Sequence, residues 1–346
     1  MEAAVSFVAV FAALVLFHEF GHFIAAKLVG IRVHEFSIGF GPRIGMRRAG
    51  DTVYSLRCVP LGGYVKLAGM DRAEMEDENV GRDDPMSYYS KPTWAKMTTF
   101  IAGPFMNLVL AVLLYFIIFT STGVPAVSVA GVSPDSPAER AGMQPGDIVV
   151  SVDGKGIQTP LELVDIISAN PERPLSLTVS RDGSVIELNA TPEAKPDTGE
   201  GRLGIEIGQI GLRKGVLQTL AGATSYAFEV ARMILVFLGR VVTGRAPADF
   251  SGPVGIYRVI QATAEATTTL SAFLLNLMIL AAYLSTNLAL FNLLPIPVLD
   301  GGWLALISLE AIRKKPLAVE HEAAFRFVGF VVIMILFVLV TLKDVF

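Results

Sequence analysis

The stretch LVLFHEFGHFIAA, residues 14–26, places two histidines and a glutamate within an otherwise apolar run. The run covers residues 3–28, and a helix of roughly 20 apolar residues is long enough to cross the hydrocarbon core of a bilayer. Ionisable groups at membrane depth cost free energy, and those that occur there are usually functional or paired. The stretch therefore predicts a membrane helix that carries a chemical site.

The composition of the whole chain also indicates an integral membrane protein. Of its 346 residues, 52% are hydrophobic, and the mean hydropathy is +0.55, which is too apolar for an ordinary soluble enzyme. Three further stretches are long enough to span a membrane: residues 100–122, 273–294 and 325–342. We therefore expect about four transmembrane helices.

Other features of the sequence exclude several classes of protein. No basic residue precedes the first span and no cleavage site follows it, so we expect this span to be retained and not removed as a signal peptide. The single cysteine, Cys58, excludes an internal disulfide framework and a cysteine-based zinc cluster. No basic cluster with interleaved aromatic residues suggests nucleic acid as a partner.

Basic residues orient the predicted spans. Arg and Lys are frequent between the first and second spans, and the cluster Arg313-Lys314-Lys315 follows the third span. By the positive-inside rule both segments are cytoplasmic. The N-terminus and residues 126–192 are then expected on the exported side of the membrane.

The exported segment has the pattern of a small folded domain over residues 124–195. The stretches DIVVSVDG and LSLTVSRDGSVIELNAT alternate like strands, and Asp182-Gly183 is a favoured two-residue hairpin turn. The run SPAERAGMQPGDIVVSVDG resembles a PDZ domain of the bacterial protease-associated type; the alternative is an unrelated small β domain. The resemblance implies that the domain binds exported peptide ends by strand addition.

Residues 216–242 are apolar enough to span a membrane but are interrupted by two charges. Glu229 and Arg232 lie near the centre of this stretch, which favours an amphipathic helix on the outer surface. We therefore expect residues 196–270 to form a linker and a surface helix.

The polar groups of the first span have the spacing of a zinc site. His18 and His22 are four residues apart and share one helix face, where two imidazoles can bind one ion. Glu19 lies beside them and can take a proton from a water that zinc activates. The alternative is two core histidines that hydrogen-bond to neighbouring helices, with Glu19 as their partner.

Asp300 is the best candidate for the third zinc ligand. It follows the stretch NLALFNLLPIPV, in which Pro295 and Pro297 break the helix, and irregular chain at membrane depth occurs where it is buried in protein or lines a water-filled cavity. The alternative is that Asp300 only caps the next helix. Topology favours the interpretation of Asp300 as a zinc ligand. Asp300 reaches the depth of the histidines if the third span runs from outside to inside. That direction requires residues 216–242 to stay on the outer side of the membrane.

These residues and motifs resemble the site-2 protease family of intramembrane zinc metalloproteases, in its bacterial regulator-of-sigma-E-protease form. The resemblance covers nearly the whole chain and depends on the following motifs: HEFGH, FSIGFGP, PLGGYVKLAG, AGPFMN, the PDZ-like run, SGPVGI and NLLPIPVLDGG. One departure is that the best-known members carry two tandem PDZ domains, whereas this chain has room for one. The carry-over of size-exclusion gating to this chain is therefore in doubt.

The resemblance implies a chemistry and a class of substrate. His18, His22 and Asp300 look like ligands of Zn²⁺, and Glu19 looks like the general base. Asn287 and Asn292 resemble the pair that engages the substrate backbone, although interhelical hydrogen bonding is the alternative for both. The implied activity is cleavage of single-pass transmembrane proteins, such as anti-sigma factors or remnant signal peptides, in the bacterial inner membrane.

The loop between the first two spans has a role in this scheme. A protease needs an extended substrate, and the stretches VHEFSIGFGP and TVYSLRCVPLGGYVKL alternate like short strands. They resemble the family's β element, which dips into the membrane and pairs with an extended substrate; the alternative is a plain cytoplasmic hairpin. We interpret the acidic run at residues 71–84 as a solvated loop.

The predicted fold is a polytopic α-helical membrane protein with a membrane-associated β element and one inserted, exported PDZ-like α/β domain. Its segments are a first transmembrane helix (1–30), a cytoplasmic or re-entrant β loop (31–96), a second transmembrane helix (97–123), the PDZ-like domain (124–195), the linker with the surface helix (196–270), a third transmembrane helix with LDGG (271–304), and a cytoplasmic helix or loop with a fourth transmembrane helix (305–346).

Two other classes of function compete with a protease. A catalytically silent membrane scaffold would bind exported peptides through the PDZ-like domain and would not need Glu19. A transporter would account for the broken helix and the intramembrane charges but predicts repeated halves, and the sequence shows no internal repeat. The complete and open ligand set favours the protease.

Overall fold

The computed structural model describes residues 2–70, 84–247, 251–315 and 319–345. The acidic run predicted as a solvated loop lies outside these residues except for Asp84, which pairs with Arg32 at 3.0 Å. The chain divides into two compact units. Unit 1 comprises Met1–Leu114 and Val230–Phe346, and unit 2 comprises Tyr115–Glu229.

Helices dominate both ends of the chain, and strands dominate its middle. The elements, in chain order, are α1 (Glu2–Leu28), β1 (Val33–Ala49), β2 (Thr52–Leu67), α2 (Thr93–Thr122), β3 (Val124–Val132), α3 (Pro137–Arg140), β4 (Ile148–Val152), β5 (Lys155–Gly156), α4 (Pro160–Ser168), β6 (Leu175–Arg181), β7 (Ser184–Ala190), β8 (Glu193–Ala194), β9 (Gly201–Arg202), β10 (Ile205–Leu212), α5 (Val216–Val242), α6 (Pro253–Ala266), α7 (Leu270–Asn292), α8 (Asp300–Arg313) and α9 (Val319–Val345).

Four helices in the described ranges are long and apolar enough to cross a membrane. They lie in α1, α2, α7 and α9, at Ala3–Leu28, Thr93–Thr122, Leu270–Asn292 and Ala324–Val345. The prediction of a polytopic protein with four spans is confirmed. The third span ends earlier than the predicted segment 271–304, because α7 stops at Asn292 and a separate helix, α8, begins at Asp300.

The helices of unit 1 pack through apolar contacts at one end and through aromatic and polar contacts at the other. Ala26, Phe100 and Ile307 form one cluster, which joins the C-terminal end of α1, the start of α2 and α8. At the opposite end of α1, the ring of Phe7 meets Tyr257 of α6 at 6.2 Å. There too, the carboxylate of Asp344 accepts hydrogen bonds from two backbone amides at the start of α6.

Strands β1 and β2 form a long antiparallel hairpin with an irregular register near its base. Glu35 in this region accepts hydrogen bonds from Ser55 at 2.6 Å, Arg57 at 2.9 Å and Arg43 at 2.8 Å. Burial alone would raise the pKa of Glu35, but these hydrogen bonds lower it to about 2. The carboxylate is therefore ionised and holds the two strands together.

Unit 2 is a mixed α/β domain built on one six-stranded sheet. Five strands follow the order β10-β3-β4-β6-β7, and β5 pairs with β4. The predicted hairpin is present: Arg181 pairs with Ser184, and Asp182 and Gly183 between them have φ values of 48° and 82°. Two residues with positive φ are the requirement of the favoured hairpin turn.

The domain boundary predicted at residue 195 is too early. Strand β10 lies within the predicted linker, and it pairs with β3 along its whole length, from Ile205 opposite Val132 to Leu212 opposite Val124. The sequence IEIGQIGL hides this strand, because glycines at 208 and 211 interrupt the apolar alternation and are rare in strands. Ile205 and Ile207 nevertheless pack against the core of the domain.

Candidate metal centre

The first transmembrane helix brings its two histidines together, as their spacing predicts. Nε2 of His18 lies 3.2 Å from Nε2 of His22. Each residue is only 8% exposed. Both rings therefore present the same nitrogen to one point inside unit 1.

Asp300 meets the two histidines at that point. Its Oδ2 lies 3.1 Å from Nε2 of His18, and its Oδ1 lies 3.3 Å from Nε2 of His22. Asp300 is also the first residue of α8. The N-cap of this helix is Leu299, so the alternative in which Asp300 only caps the helix is wrong.

The two glycines after Asp300 allow the irregular chain before α8 to fold back tightly. A Cβ atom on Gly301 would overlap the carbonyl oxygens of Leu293 and Leu294, and one on Gly302 would overlap that of Ile296. Any larger residue would push the start of α8 away from the segment 293–299. These glycines therefore set the position from which Asp300 reaches the histidines.

The three groups fit a tetrahedral zinc ion. Zinc bonds to nitrogen and oxygen of about 2.0–2.1 Å place tetrahedral ligand atoms about 3.3 Å apart. The two Nε2 atoms are 3.2 Å apart, and each lies close to a different carboxylate oxygen of Asp300, at 3.1 Å for His18 and 3.3 Å for His22. Oδ2 of Asp300 is buried and has no hydrogen-bond partner among the described residues, and a cation shared with the histidines would satisfy it. With three protein ligands, the fourth position stays open, as in catalytic sites.

Helix α2 contacts the Nδ1 atoms of both histidines, on the opposite side of each ring from Nε2. These contacts were not predicted from the sequence. Nδ1 of His22 donates a hydrogen bond to the backbone oxygen of Thr99 at 2.7 Å, and the side-chain amide of Asn107 lies 3.2 Å from Nδ1 of His18. Between them, a Cβ atom on Gly103 would overlap Nε2 of His22. The three residues are spaced by four in TFIAGPFMN, and this spacing on one helix face was the available signal.

Close helix contact at this level also depends on α1. A Cβ atom on Gly21 would overlap the backbone oxygen of Ala102 and would lie 3.0 Å from Cα of Gly103. Small residues let two membrane helices approach closely. Gly21 and Gly103 therefore bring the backbone of α2 against the rings.

Glu19 lies beside the ligands in a cavity of about 330 Å³. The cavity is lined by residues of α1, β2, α2, α7 and α8, and its apolar walls include Phe100, Val65 and Trp303. The side chain of Glu19 runs along β2, since a Cβ atom on Gly63 would come within 3.2 Å of its Cγ. The structure thus places the predicted base next to the ligand atoms with space for a bound chain.

The two predicted substrate-binding asparagines occupy different positions. Asn292 lines the cavity, with its Nδ2 at 3.5 and 3.4 Å from Nδ1 and Nε2 of His18. Asn287 is not among the cavity-lining residues of the described chain. The five-residue separation turns the two side chains about 140° apart on α7. That both asparagines bind the substrate stays a prediction. The geometry supports this role for Asn292 and not for Asn287.

Comparison with known proteins identifies the family of the chain. The model of peptidase family M50 matches residues 6–336. The chain belongs to peptidase family M50. The resemblance to the site-2 proteases is thereby confirmed, and this M50 peptidase is a zinc-dependent metalloendopeptidase and a multi-pass membrane protein.

Relatives of this M50 peptidase align along nearly its full length. The regulator of sigma-W protease RasP of Bacillus subtilis strain 168 is 30% identical, and the alignment covers 100% of this chain and 98% of RasP. A putative zinc metalloprotease of Clostridium acetobutylicum is 33% identical over 97% of this chain and 95% of that protein. Among solved structures, the PDZ domain of an SdrC-like protein of Listeria monocytogenes covers 24% of this chain and 86% of that chain at 20% identity, with a TM-score of 0.22.

Proposed function

We propose that this M50 peptidase cleaves single-pass transmembrane segments within the bacterial inner membrane, and that its substrates are anti-sigma-factor-like proteins or remnant signal peptides. The observation that carries the proposal is the position of the ligand atoms. His18 and His22 lie on a helix that is long and apolar enough to span a bilayer, and Asp300 joins them there. A hydrolytic site at that position meets peptide bonds that lie inside the membrane. The name of the RasP relative, a regulator of a sigma factor, supports the first substrate class.

In this proposal His18, His22 and Asp300 hold the zinc, and Glu19 moves the proton. Bound zinc lowers the pKa of a coordinated water to about 7 and polarises the scissile carbonyl. The Glu19 carboxylate takes a proton from the attacking water and delivers it to the leaving amine nitrogen. Asn292, at the rim of the ligand set, donates its amide hydrogens to a backbone carbonyl of the substrate.

The substrate must be extended before it is cut, because an intact helix ties up its carbonyls in its own hydrogen bonds. Strand β2 passes along the cavity, where Tyr64, Val65 and Leu67 contribute to its wall. The sheet β1-β2 has only two strands, so each strand has an outer edge. Pairing of the substrate with this edge would hold it in an extended form beside Glu19.

The packing of unit 1 supports the proposed orientation, with the N-terminus on the exported side. The start of α1, helix α6 and the end of α9 contact one another at one end of the unit. The end of α1, the hairpin β1-β2 and α8 lie at the other end, near the basic cluster Arg313-Lys314-Lys315. Alternating spans with a cytoplasmic basic end require this arrangement.

We also propose that unit 2 is exported and binds the ends of exported peptides. Strand β10 is the last strand in its sheet, so it has an outer edge to which a peptide can add. Its partner β3 and the core valines behind it form a rigid base for such an addition. The domain would then select substrates without taking part in the cleavage step.

Two substitutions in the ligand set test the proposed chemistry. Glu19→Gln should leave about one zinc per chain while cleavage of a single-pass model substrate falls by about 10²–10⁴-fold, because the proton acceptor is lost. Asp300→Ala should lose the metal as well as the activity. The measurements are elemental analysis of the full chain in detergent and a gel-based cleavage assay. Glu265→Gln, which changes an exposed glutamate of α6, is the matched control.

The outcomes separate the roles of the residues. If Glu19→Gln cleaves at the rate of the wild type, Glu19 is not the base. If Asp300→Ala retains its zinc, the proposed ligand set is wrong. If the wild-type chain binds zinc but cleaves only soluble peptides, the metal centre stands and the intramembrane substrate does not.

A further inference from the structure

Asn107 is a buried polar residue of α2 whose amide is only half satisfied. The residue is 0% exposed. Its Nδ2 lies 3.2 Å from Nδ1 of His18, while its Oδ1 is buried and has no hydrogen-bond partner among the described residues. A buried carbonyl oxygen without a donor costs free energy, because it has lost its hydrogen bonds to water. This arrangement needs an explanation because it touches a proposed ligand.

The chemistry of a metal-bound histidine supplies the explanation. Neutral imidazole carries one proton on its two nitrogens, and a nitrogen that binds a metal must offer a lone pair. Nε2 of His18 points at Nε2 of His22 and at Asp300. Nδ1 of His18 therefore carries the proton and needs an acceptor. An amide nitrogen cannot accept a hydrogen bond, but an amide oxygen can.

A half-turn of the Asn107 side-chain amide pairs its oxygen with the ring of His18 and moves its NH₂ group to the place that the oxygen leaves. The two ends of the planar amide have nearly the same shape, so the turn exchanges Oδ1 and Nδ2 without new packing. Oδ1 then faces the Nδ1–H of His18, and the unpartnered oxygen gains its donor. The neighbouring ligand already has this arrangement, since Nδ1–H of His22 donates to the backbone oxygen of Thr99 at 2.7 Å.

We propose that Asn107 is the positioning residue of His18: its amide oxygen accepts the Nδ1–H bond and thereby keeps Nε2 free and aimed at the metal. This inference rests on the proposed metal centre. Asn292 is not an alternative acceptor, because its Nδ2 lies at nearly equal distances of 3.5 and 3.4 Å from the two ring nitrogens. An atom directed at one nitrogen of an imidazole would lie much closer to it than to the other.

The position of Asn107 is itself held by another helix. Oγ of Ser285, which is 0% exposed, donates a hydrogen bond to the backbone oxygen of Asn107 at 2.7 Å. Helix α7 thus ties the backbone of α2 at the point where the amide meets His18.

The first test compares three variants of the full chain in detergent. Asn107→Leu has similar volume but no acceptor, and it should weaken zinc binding by about 10–100-fold, the usual effect of removing an outer partner of a ligand. Asn107→Asp keeps an acceptor and should stay within about threefold of the wild type. Glu265→Gln, at an exposed position of α6, is the control and should also stay within this range. The measurement is competition for zinc with a chromogenic chelator, and the cobalt-substituted proteins report ligand geometry through their visible absorption.

The result for Asn107→Asp decides between acceptance and donation. If the aspartate variant binds zinc as poorly as the leucine variant, Asn107 acts as a donor or as packing, and the inference is wrong. Equal zinc affinity of the leucine variant and the wild type would also overturn it. If His18→Ala binds zinc as tightly as the wild type, the metal centre itself is misassigned, which is a separate failure.

The second test uses the wild-type chain and so does not depend on a variant that folds. The chain has four histidines, which makes nitrogen-15 labelling of their rings readable. In the zinc-loaded protein, the inference requires that the ring of His18 carry its proton on Nδ1, with a signal shifted by a strong hydrogen bond. A proton on Nε2 of His18 would overturn it.

Discussion

In unit 2 the core consists mainly of branched apolar side chains, and its most buried charged group, Asp147, is paired with Arg181. Unit 1 buries histidines, an asparagine and hydroxyl groups beside its apolar clusters, and it leaves many large apolar side chains exposed on its spans. Leu175, Leu177 and Val179 of β6 are all 0% exposed. In unit 1, Asn107 and Ser285 are also 0% exposed, while Phe337 and Leu339 of α9 are 49% and 57% exposed. The two units thus differ in the balance of polar and apolar groups that they bury.

The difference shows what each unit uses to hold its elements together. In water, removal of apolar area contributes about 25 cal/mol per Å², which is sufficient to drive a core such as that of unit 2. In lipid that contribution is absent, and helices associate through close packing of small residues and through polar contacts. In unit 1, Gly21 and Gly103 allow the close packing, and the contacts around His18 are the polar contacts.

We expect the largest difference in stability when a leucine is replaced by alanine in each of the two units. Leu177→Ala removes a fully buried side chain from the core of unit 2 and should destabilise that unit by about 2–5 kcal/mol. Leu339→Ala removes an exposed side chain of α9 and should change stability by less than about 0.5 kcal/mol. Hydrogen exchange of the amides of β6 and α9 in the full chain measures both. Equal loss of protection in the two variants would show that burial of apolar side chains does not distinguish the two units.

A methyl group added to the close helix contact should act next most strongly. Gly103→Ala inserts a Cβ atom where Nε2 of His22 lies and 2.9 Å from Cε1 of His18. Misplacement of the rings should weaken zinc binding by about 10²-fold, which chelator competition measures. Gly239→Ala in α5 is the matched control, because no atom lies within 4 Å of its added Cβ. Wild-type zinc affinity in Gly103→Ala would show that the helices separate easily and that packing does not set the site.

Acid should weaken the hydrogen-bonded ion cluster around Glu35 in the hairpin β1-β2. The pKa of Glu35 is lowered from 4.5 to about 2, since hydrogen bonds from Ser55, Arg57 and Arg43 outweigh its burial. A lowered pKa means that the stabilisation is complete above about pH 4.5 and is lost as the pH falls toward 2. We expect a loss of roughly 2 kcal/mol, discounted for the solvent screening of the half-exposed Arg43.

Hydrogen exchange of the β1 and β2 amides between pH 5 and pH 2 measures this loss of stability. The exchange rates are corrected for the intrinsic effect of pH. Glu35→Gln should be less protected at pH 5 and should show little further change toward pH 2. A wild-type hairpin whose protection does not change over this range would show that the paired carboxylate adds nothing to its stability.

Local patterns in the sequence predicted much of this architecture. The four spans follow from runs of apolar residues, because bilayer thickness sets their length. The hairpin at Asp182-Gly183 follows from turn chemistry, and the facing of His18 and His22 follows from the helical repeat. Strand β10 was missed because its two glycines break the alternation, and its place depends on pairing with β3, which is distant in the sequence.

The partners of the histidines could not be predicted in the same way. Asp300 was found as a candidate because acids beside apolar segments are few, but its approach to within 3.1 Å of His18 depends on the tight fold before α8. Thr99 acts through its backbone oxygen, and Asn107 acts through one side-chain amide. Neither role has a sequence signal of its own beyond the spacing of four on α2.

The sequence by itself determined that the chain spans a membrane and that two histidines and a glutamate share one turn of a helix within it. Both properties depend only on composition and on the helical repeat, which are local. The tertiary structure decided which groups complete the site, because a metal centre requires atoms from α1, α2 and α8 to converge within a few ångströms. That convergence depends on how closely Gly21, Gly103 and Gly301 let the backbones approach, and close approach is a property of pairs of segments and not of either segment alone.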